Sequence, residues 1–145
     1  MPAGKHGASE ITVNFDASPG GTLTDVTQHI LTMGGAKIEN VMQPSHAFGD
    51  AWAEMLATGF AKVPAITFTG FYDDTATTGP HTVFQVKAAD RDPQGATRTL
   101  TLGFGNAVTF SGETRLESYE VIGKTGAITE FAAVVQPTGA FTWSA

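Results

Sequence analysis

The chain has 145 residues, no cysteine and a formal net charge of -6, and only 15% of its residues are charged. That length fits one domain over residues 1–145, with a core large enough to hold without staples. The missing cysteine excludes disulfides, thiolate metal sites and cysteine nucleophiles, and the acidic balance argues against broad nucleic-acid binding, which draws on Lys and Arg.

No run approaches the ~20 apolar residues of a membrane span. The opening MPAGKHGASE lacks the apolar stretch of a secretory signal and reads as a flexible arm over residues 1–9. A soluble surface is usually about 25–35% charged. Here Thr, Gly and Ala take that place, which points to faces that meet other subunits.

Glu10 to Asp16 alternates, with Ile11, Val13 and Phe15 on one side, and predicts a half-buried strand. Ala17 to Gly21 is turn chemistry. Asp25 to Leu31 is short and fits either a strand or one helical turn. Ala36 to Met42 reads as a strand with Ile38 and Met42 inward. Pro44 to Asp74 is the expected centre of the core. Phe48, Trp52, Met55 and Leu56 fall at i, i+4, i+7 and i+8, the spacing of one helical face. Ser45 is placed to cap that helix and Gly59 to close it. The strand that follows carries Ile66, Phe68 and Tyr72 against Thr67, Thr69 and Phe71.

His81 to Ala89 fits a short helix or a strand. Asp90 to Gly95 reads as a loop. Arg98 to Phe110 alternates again, and Gly103 and Gly105 mark an expected bulge. Thr114 to Ile122 and Ala127 to Gln136 form a hairpin about Gly123–Gly126. Pro137 to Gly139 reads as a further turn before a short final strand. The sum is a mainly β fold with one α-helix laid on a sheet.

Chemistry is sparse. His6, His29, His46 and His81 are scattered, without metal-ligand spacing. Asp73-Asp74 and Asp90/Asp92 lack the spacing of a calcium loop and read as turn residues. Pro19-Gly20-Gly21-Thr22 lacks the lysine of a phosphate loop, Gly103-Phe104-Gly105 lacks a third glycine, and no serine sits in a nucleophile elbow. The expectation is no enzyme, no cofactor and no metal. Glu113, Glu117, Glu120 and Glu130 lie on the two strands of the C-terminal hairpin beside Arg115. They read either as a solvated face or as an acidic lining that repels DNA and lets it slide.

Several local patterns occur in a telling order. They are Asp25-Val26-Thr27, then His46-Ala47-Phe48-Gly49-Asp50-Ala51-Trp52, then Gly70-Phe71-Tyr72-Asp73 after Gly59, then Pro93-Gln94-Gly95. This set resembles the major tail, or tail tube, proteins of long-tailed bacteriophages and gene transfer agents, over residues 10 to 143. His46 departs from the Thr common at its position. The resemblance implies a β-sandwich or barrel-like subunit with one flanking α-helix, a structural virion protein of hexameric rings, stacked into a tube and lined by a continuous inner β-barrel. It implies a tape measure protein, a tail terminator and tail tip or baseplate proteins as partners. It also implies DNA passing through the lumen without specific binding, a place in the virion tail, and assembly in the host bacterial cytoplasm. Closed rings remove the liability of exposed sheet edges. Residues 1–9, 16–35 and 88–97 are the expected ring-to-ring contacts. The alternatives are a tube protein of a contractile injection or secretion system, and a monomeric β-sandwich decoration or binding module using Trp143 and Tyr119 as a platform.

Overall fold

The computed structural model describes residues 4–5 and 7–144. Of the arm expected over 1–9, Met1–Ala3 and His6 lie outside the described residues, and Ala8–Glu10 forms one 3-10 turn. Nine strands follow: β1 (Thr12–Asp16), β2 (Leu23–Asp25), β3 (Ile30–Met33), β4 (Glu39–Pro44), β5 (Met55–Lys62), β6 (Ile66–Phe71), β7 (Arg98–Gly103), β8 (Thr109–Ile122) and β9 (Glu130–Ser144). Among the described residues one short α-helix, α1 (Pro80–Phe84), precedes β7.

Seven strands form one antiparallel sheet in the order β2-β1-β7-β8-β9-β6-β3, and β4 and β5 pair separately. The sheet cannot be flat. Its two edge strands, β2 and β3, are joined by only residues 26–29. Five peptide steps span at most about 18 Å, whereas seven flat strands about 4.8 Å apart span roughly 29 Å. The sheet therefore curls into a half-barrel. Asp25-Val26-Thr27 makes the closure. Val26 is fully buried. Val26 N–H donates to the Val13 carbonyl at 3.0 Å, and Val13 N–H donates to Thr27 Oγ1 at 2.8 Å. Gly70 serves the same closure. A Cβ there would lie 1.9 Å from the His29 carbonyl oxygen, so the link packs on bare backbone.

Alternation explains the strands because one face is buried and the other is not. Val13, Phe15, Ile66, Phe68, Leu100, Leu102, Phe131, Ala133 and Val135 point into the curl and are buried. Their neighbours Thr67, Thr69, Thr99 and Thr101 point out. Phe84 of α1 fills the curl. Its ring lies 5.2 Å from that of Phe15, 5.8 Å from Phe68 and 5.5 Å from Phe131.

Arg98 holds α1 in place. It is fully buried, and its Nε and Nη2 donate to the two carboxylate oxygens of Asp90 at 2.9 and 2.7 Å. Nη1 donates to the carbonyls of Val83 at 2.6 Å and Asp16 at 3.2 Å, and Nη2 to that of Gln85 at 3.3 Å. Residues 88–91 are thus a 3-10 turn tied to the core. Residues 92–95 are held too, since Arg115 donates to the Asp92 and Gly95 carbonyls at 3.0 Å each.

Several expectations are corrected. Residues 45–59 form no helix. Residues 45–54 are an irregular loop and Met55–Lys62 is strand β5. Phe48, Trp52, Met55 and Leu56 are exposed, Trp52 at 83%. The apolar spacing was helical, but local chemistry overrides it. Asp50 Oδ2 accepts Ala47 N–H at 2.6 Å, a side-chain bond that competes with a helical turn. Gly49 takes φ +95°. Gly59 does adopt positive φ, 87°, but at a bulge opposite Val41 rather than at a helix end. Ser45 N–H pairs with the Glu54 carbonyl across the loop mouth. Ile38 and Met42 are likewise exposed, because β4 pairs only with β5 and meets no core.

Ile66 and Phe68 are fully buried, and Tyr72 is half-buried just past β6. Gly103 and Gly105 flank a hairpin turn rather than a bulge, with Gly105, Asn106 and Ala107 all at positive φ. Residues 137–139 continue β9 instead of breaking it.

Truncating Phe84 to Ala is expected to destabilise the subunit by about 3–5 kcal/mol, and Asp90→Ala by a similar ~3–5 kcal/mol, since it strands a buried guanidinium. Trp52→Ala stays within about 0.5 kcal/mol of the parent. Urea denaturation of the three monomeric variants checks the order. A Trp52 effect as large as that of Phe84 would return residues 45–59 to the core.

Candidate assembly surfaces

The curl leaves two surfaces for function: the outer face of the sheet and the β4–β5 hairpin. The outer face is hydroxyl-rich. Register places Thr67 against Val134, Thr69 against Ala132, Thr101 against Ser111 and Ser118 against Val134. Thr32 and Thr69 join their hydroxyls across β3 and β6, as do Thr109 and Ser144 across β8 and β9. β-Branched threonines suit a half-buried strand and leave an uncharged polar surface.

Of the four predicted glutamates, Glu113, Glu120 and Glu130 fall on this face, and they do not converge. Glu113 faces Thr99, and its carboxylate accepts the hydroxyls of Thr97 at 2.7 Å and Thr99 at 2.6 Å. Glu120 faces Ala132 and Glu130 faces Ile122, so these two are diagonal neighbours on adjacent strands. Seven residues of β8 separate Glu113 from Glu120, about 23 Å at strand rise. Glu117 is the extra residue of the bulge between Leu116 and Ser118. Arg115, the cation among them, spends its guanidinium on the carbonyls of residues 92–95. The face is sparsely and mostly negatively charged.

The β4–β5 hairpin is the surface that sequence reasoning misassigned. Every residue of β5 is exposed. Met42, Phe48, Trp52, Met55, Leu56 and Phe60 all lie in water. An isolated two-stranded hairpin is marginal in water, and exposed apolar surface on this scale marks an interaction site. The signal was the apolar stripe itself, read as intramolecular. At the root of the hairpin, residues 61–64 and Ile38 face Gln136–Phe141 of β9 across a cavity of ≈ 700 Å³. Residues 16–35 and 88–97, expected as ring-to-ring contacts, are ordered parts of the curl and its locks, with many of their side chains still exposed.

Among the described residues no group of three or more His, Asp or Glu side chains is placed to hold a metal. Asp73 caps its own turn, and hydrogen bonds from the Thr75 hydroxyl and amide hold its carboxyl below the usual range. Tyr119 is half-buried, and Trp143 packs on the fold with about half of it, 48%, still exposed. Tyr119 shares a 3.1 Å hydrogen bond with His81 Nδ1, and Trp143 packs 4.5 Å from Phe110 between ring centroids.

No protein-family model matches the chain, and no curated protein does. Solved structures do. A chain from the tail of an empty gene transfer agent particle, refined with C6 symmetry, superposes with a TM-score of 0.70 at 14% identity, covering 97% of this chain and 100% of that one. A chain from the virion of a native gene transfer agent particle gives 0.74 at 11% identity, covering 97% and 100%. A chain from the sheath/tube terminator of an extracellular contractile injection system gives 0.69 at 10% identity and covers 100% of both.

This is a tail-tube-like fold. Its neighbours are structural parts of phage-like tails and injection systems, and the curled β-sheet with one small helix is what they share with this chain. The helix of this chain is α1, not the 45–59 segment.

Burial, with a smaller push from Tyr72, raises the Tyr119 phenol from 10.0 to about 12. Its neutral form is favoured in the folded state. The resulting stability is fully present below pH 10 and is lost as pH rises through about 12. A phenolate absorbance titration in the Tyr72→Phe background, which keeps the burial and loses the smaller push, is expected to show a midpoint still above the usual 10.0, and Tyr119→Phe removes both the midpoint and the alkaline loss of stability.

Proposed function

We propose that the chain is a self-assembling structural subunit of a tail tube, closing into hexameric rings that stack around a channel for DNA. The observation that carries this reading is the β4–β5 arm. A monomer leaves it uncovered, with aromatic side chains in water along its whole length. The full-length likeness to chains from assembled tails supports the same reading, as does a surface with few charges.

The hydroxyl-rich outer face bearing Glu113, Glu120 and Glu130 is the proposed channel wall. Neutral hydroxyls offer no fixed cation for phosphate to grip, and the glutamates repel DNA. The mechanism is geometric, with no catalytic step. A tape measure protein would fill the channel during assembly, and terminator and tip or baseplate proteins would cap the ends. The subunit would be made in the bacterial cytoplasm and end in the virion tail. A second reading, a tube subunit of a contractile injection system, is favoured by the likeness to the injection-system terminator chain. It keeps the same ring and channel and replaces the cargo.

Negative-stain microscopy of concentrated protein is expected to show rings or tubes with a central hole, and a strictly monomeric species at every concentration counts against the reading. Tubes carrying Glu113→Lys, Glu120→Lys and Glu130→Lys together are expected to assemble and to retain linear DNA at low salt but not at high salt. If the parent tube retains DNA equally, these residues do not line the channel.

A further inference from the structure

The arm and the cavity at its root differ in charge as well as shape. The tip carries Asp50 and Glu54 beside Phe48 and Trp52. The root carries Lys62 on the cavity wall and Lys37 next to it. Both ammonium groups meet one carboxylate, Lys37 at 2.6 Å and Lys62 at 3.8 Å from Glu39, which leaves one positive charge in excess. The cations at Lys87, Arg98 and Arg115 are engaged by backbone carbonyls of the fold. The root is therefore one of the few places on this acidic chain with a cation to offer.

The cavity itself is apolar in character, walled by Ile38, Val63, Pro64, Pro137 and Phe141 as well as Lys62. It exists because β9 bows away from β8. Gly112 faces Phe141 and Thr114 faces Pro137, so one intervening residue of β8 opposes three of β9. Its ≈ 700 Å³ is in the range that accepts a buried aromatic group.

We propose that the acidic, aromatic tip of one subunit's arm docks into the basic-rimmed apolar cavity at the arm root of a second copy. This rests on the self-assembly reading above and names its contact. The two surfaces cannot meet within one molecule, because the eight residues of β5 hold them about 25 Å apart. Two tips do not pair with each other, since each brings two carboxylates. A tip-to-root contact is head-to-tail, and such contacts repeat from copy to copy instead of ending at a dimer. Docking also covers the hairpin that the monomer leaves marginal.

The absence of cysteine makes the contact testable by site-directed disulfides. Ala51→Cys marks the tip. Gly139→Cys marks the root, where an added Cβ meets nothing within 4 Å. Mild oxidation of the double variant at high concentration is expected to give a ladder of covalent multimers whose linked peptides join 51 to 139. Bonds joining 51 to 51 or 139 to 139 in their place, or no ladder, overturn the proposal. Asp50→Lys with Glu54→Lys is expected to cut the 51–139 yield about tenfold. Mixing that tip variant with a root carrying Lys37→Glu and Lys62→Glu restores it, and failure to restore it also overturns the charge assignment. Tubes without the 51–139 bond would sink this contact and leave the tube reading standing. The bond without tubes would do the reverse.

Discussion

A guanidinium buried in an apolar curl is costly unless every donor finds a partner. Arg98 finds them on four segments at once: the carboxylate of Asp90 and the carbonyls of Asp16, Val83 and Gln85. Those partners are the end of β1, the last turn of α1, the residue after it, and the 3-10 turn before β7. Thr114 closes the far side by donating its hydroxyl to the Arg98 carbonyl at 2.9 Å. A five-residue helix is too short to persist by its own hydrogen bonds. It persists because Arg98 ties its carbonyl ends down and Phe84 stacks among Phe15, Phe68 and Phe131. Lys87 adds a strut, donating to the Ala17 and Thr82 carbonyls at 2.9 and 3.1 Å, and burial beside Arg98 lowers its pKa.

Filling the curl with Phe84 decides where function can lie. A half-barrel with an empty interior would be a ligand site. This one is plugged, which turns attention to its outer face and its arm. The outer face has given up charge for threonine, which keeps strand propensity high without creating a field. The arm has given up burial altogether. Both choices are poor for a free monomer and consistent with a subunit whose neighbours supply what it lacks.

The parts legible in the sequence were those with a buried and an exposed side. Val13/Phe15, Ile66/Phe68 and Leu100/Leu102 alternate because the curl buries one face only. The ordered short motifs were legible as a set, and each has a physical reason. Asp25-Val26-Thr27 seals β1, Gly70 admits the link over bare backbone, and Pro93-Gln94-Gly95 presents carbonyls to Arg115. What was not legible was long-range. Asp90 in a loop gives no sign that it pairs with Arg98 inside the core. Gly103 and Gly105 look alike as bulge or turn until the strands on either side are seen to pair. Glu113, Glu120 and Glu130 were legible as one face, but not as two groups at opposite ends of it.

The 45–59 segment went astray for a different reason. Its apolar residues read as the core face of a helix, and in the fold they lie in water. Periodicity reports that a stripe must be covered and is silent on what covers it. Here Gly49, Asp50 and Gly59 break the helix, and the strand that replaces it has no sheet beneath it. The burial demand remains after the helix is gone. The chain's own core is already closed by Phe84 and Arg98, which is why the proposal above gives the stripe to a second copy. The stripe that looked like the seed of the fold is therefore better understood as its outward connection.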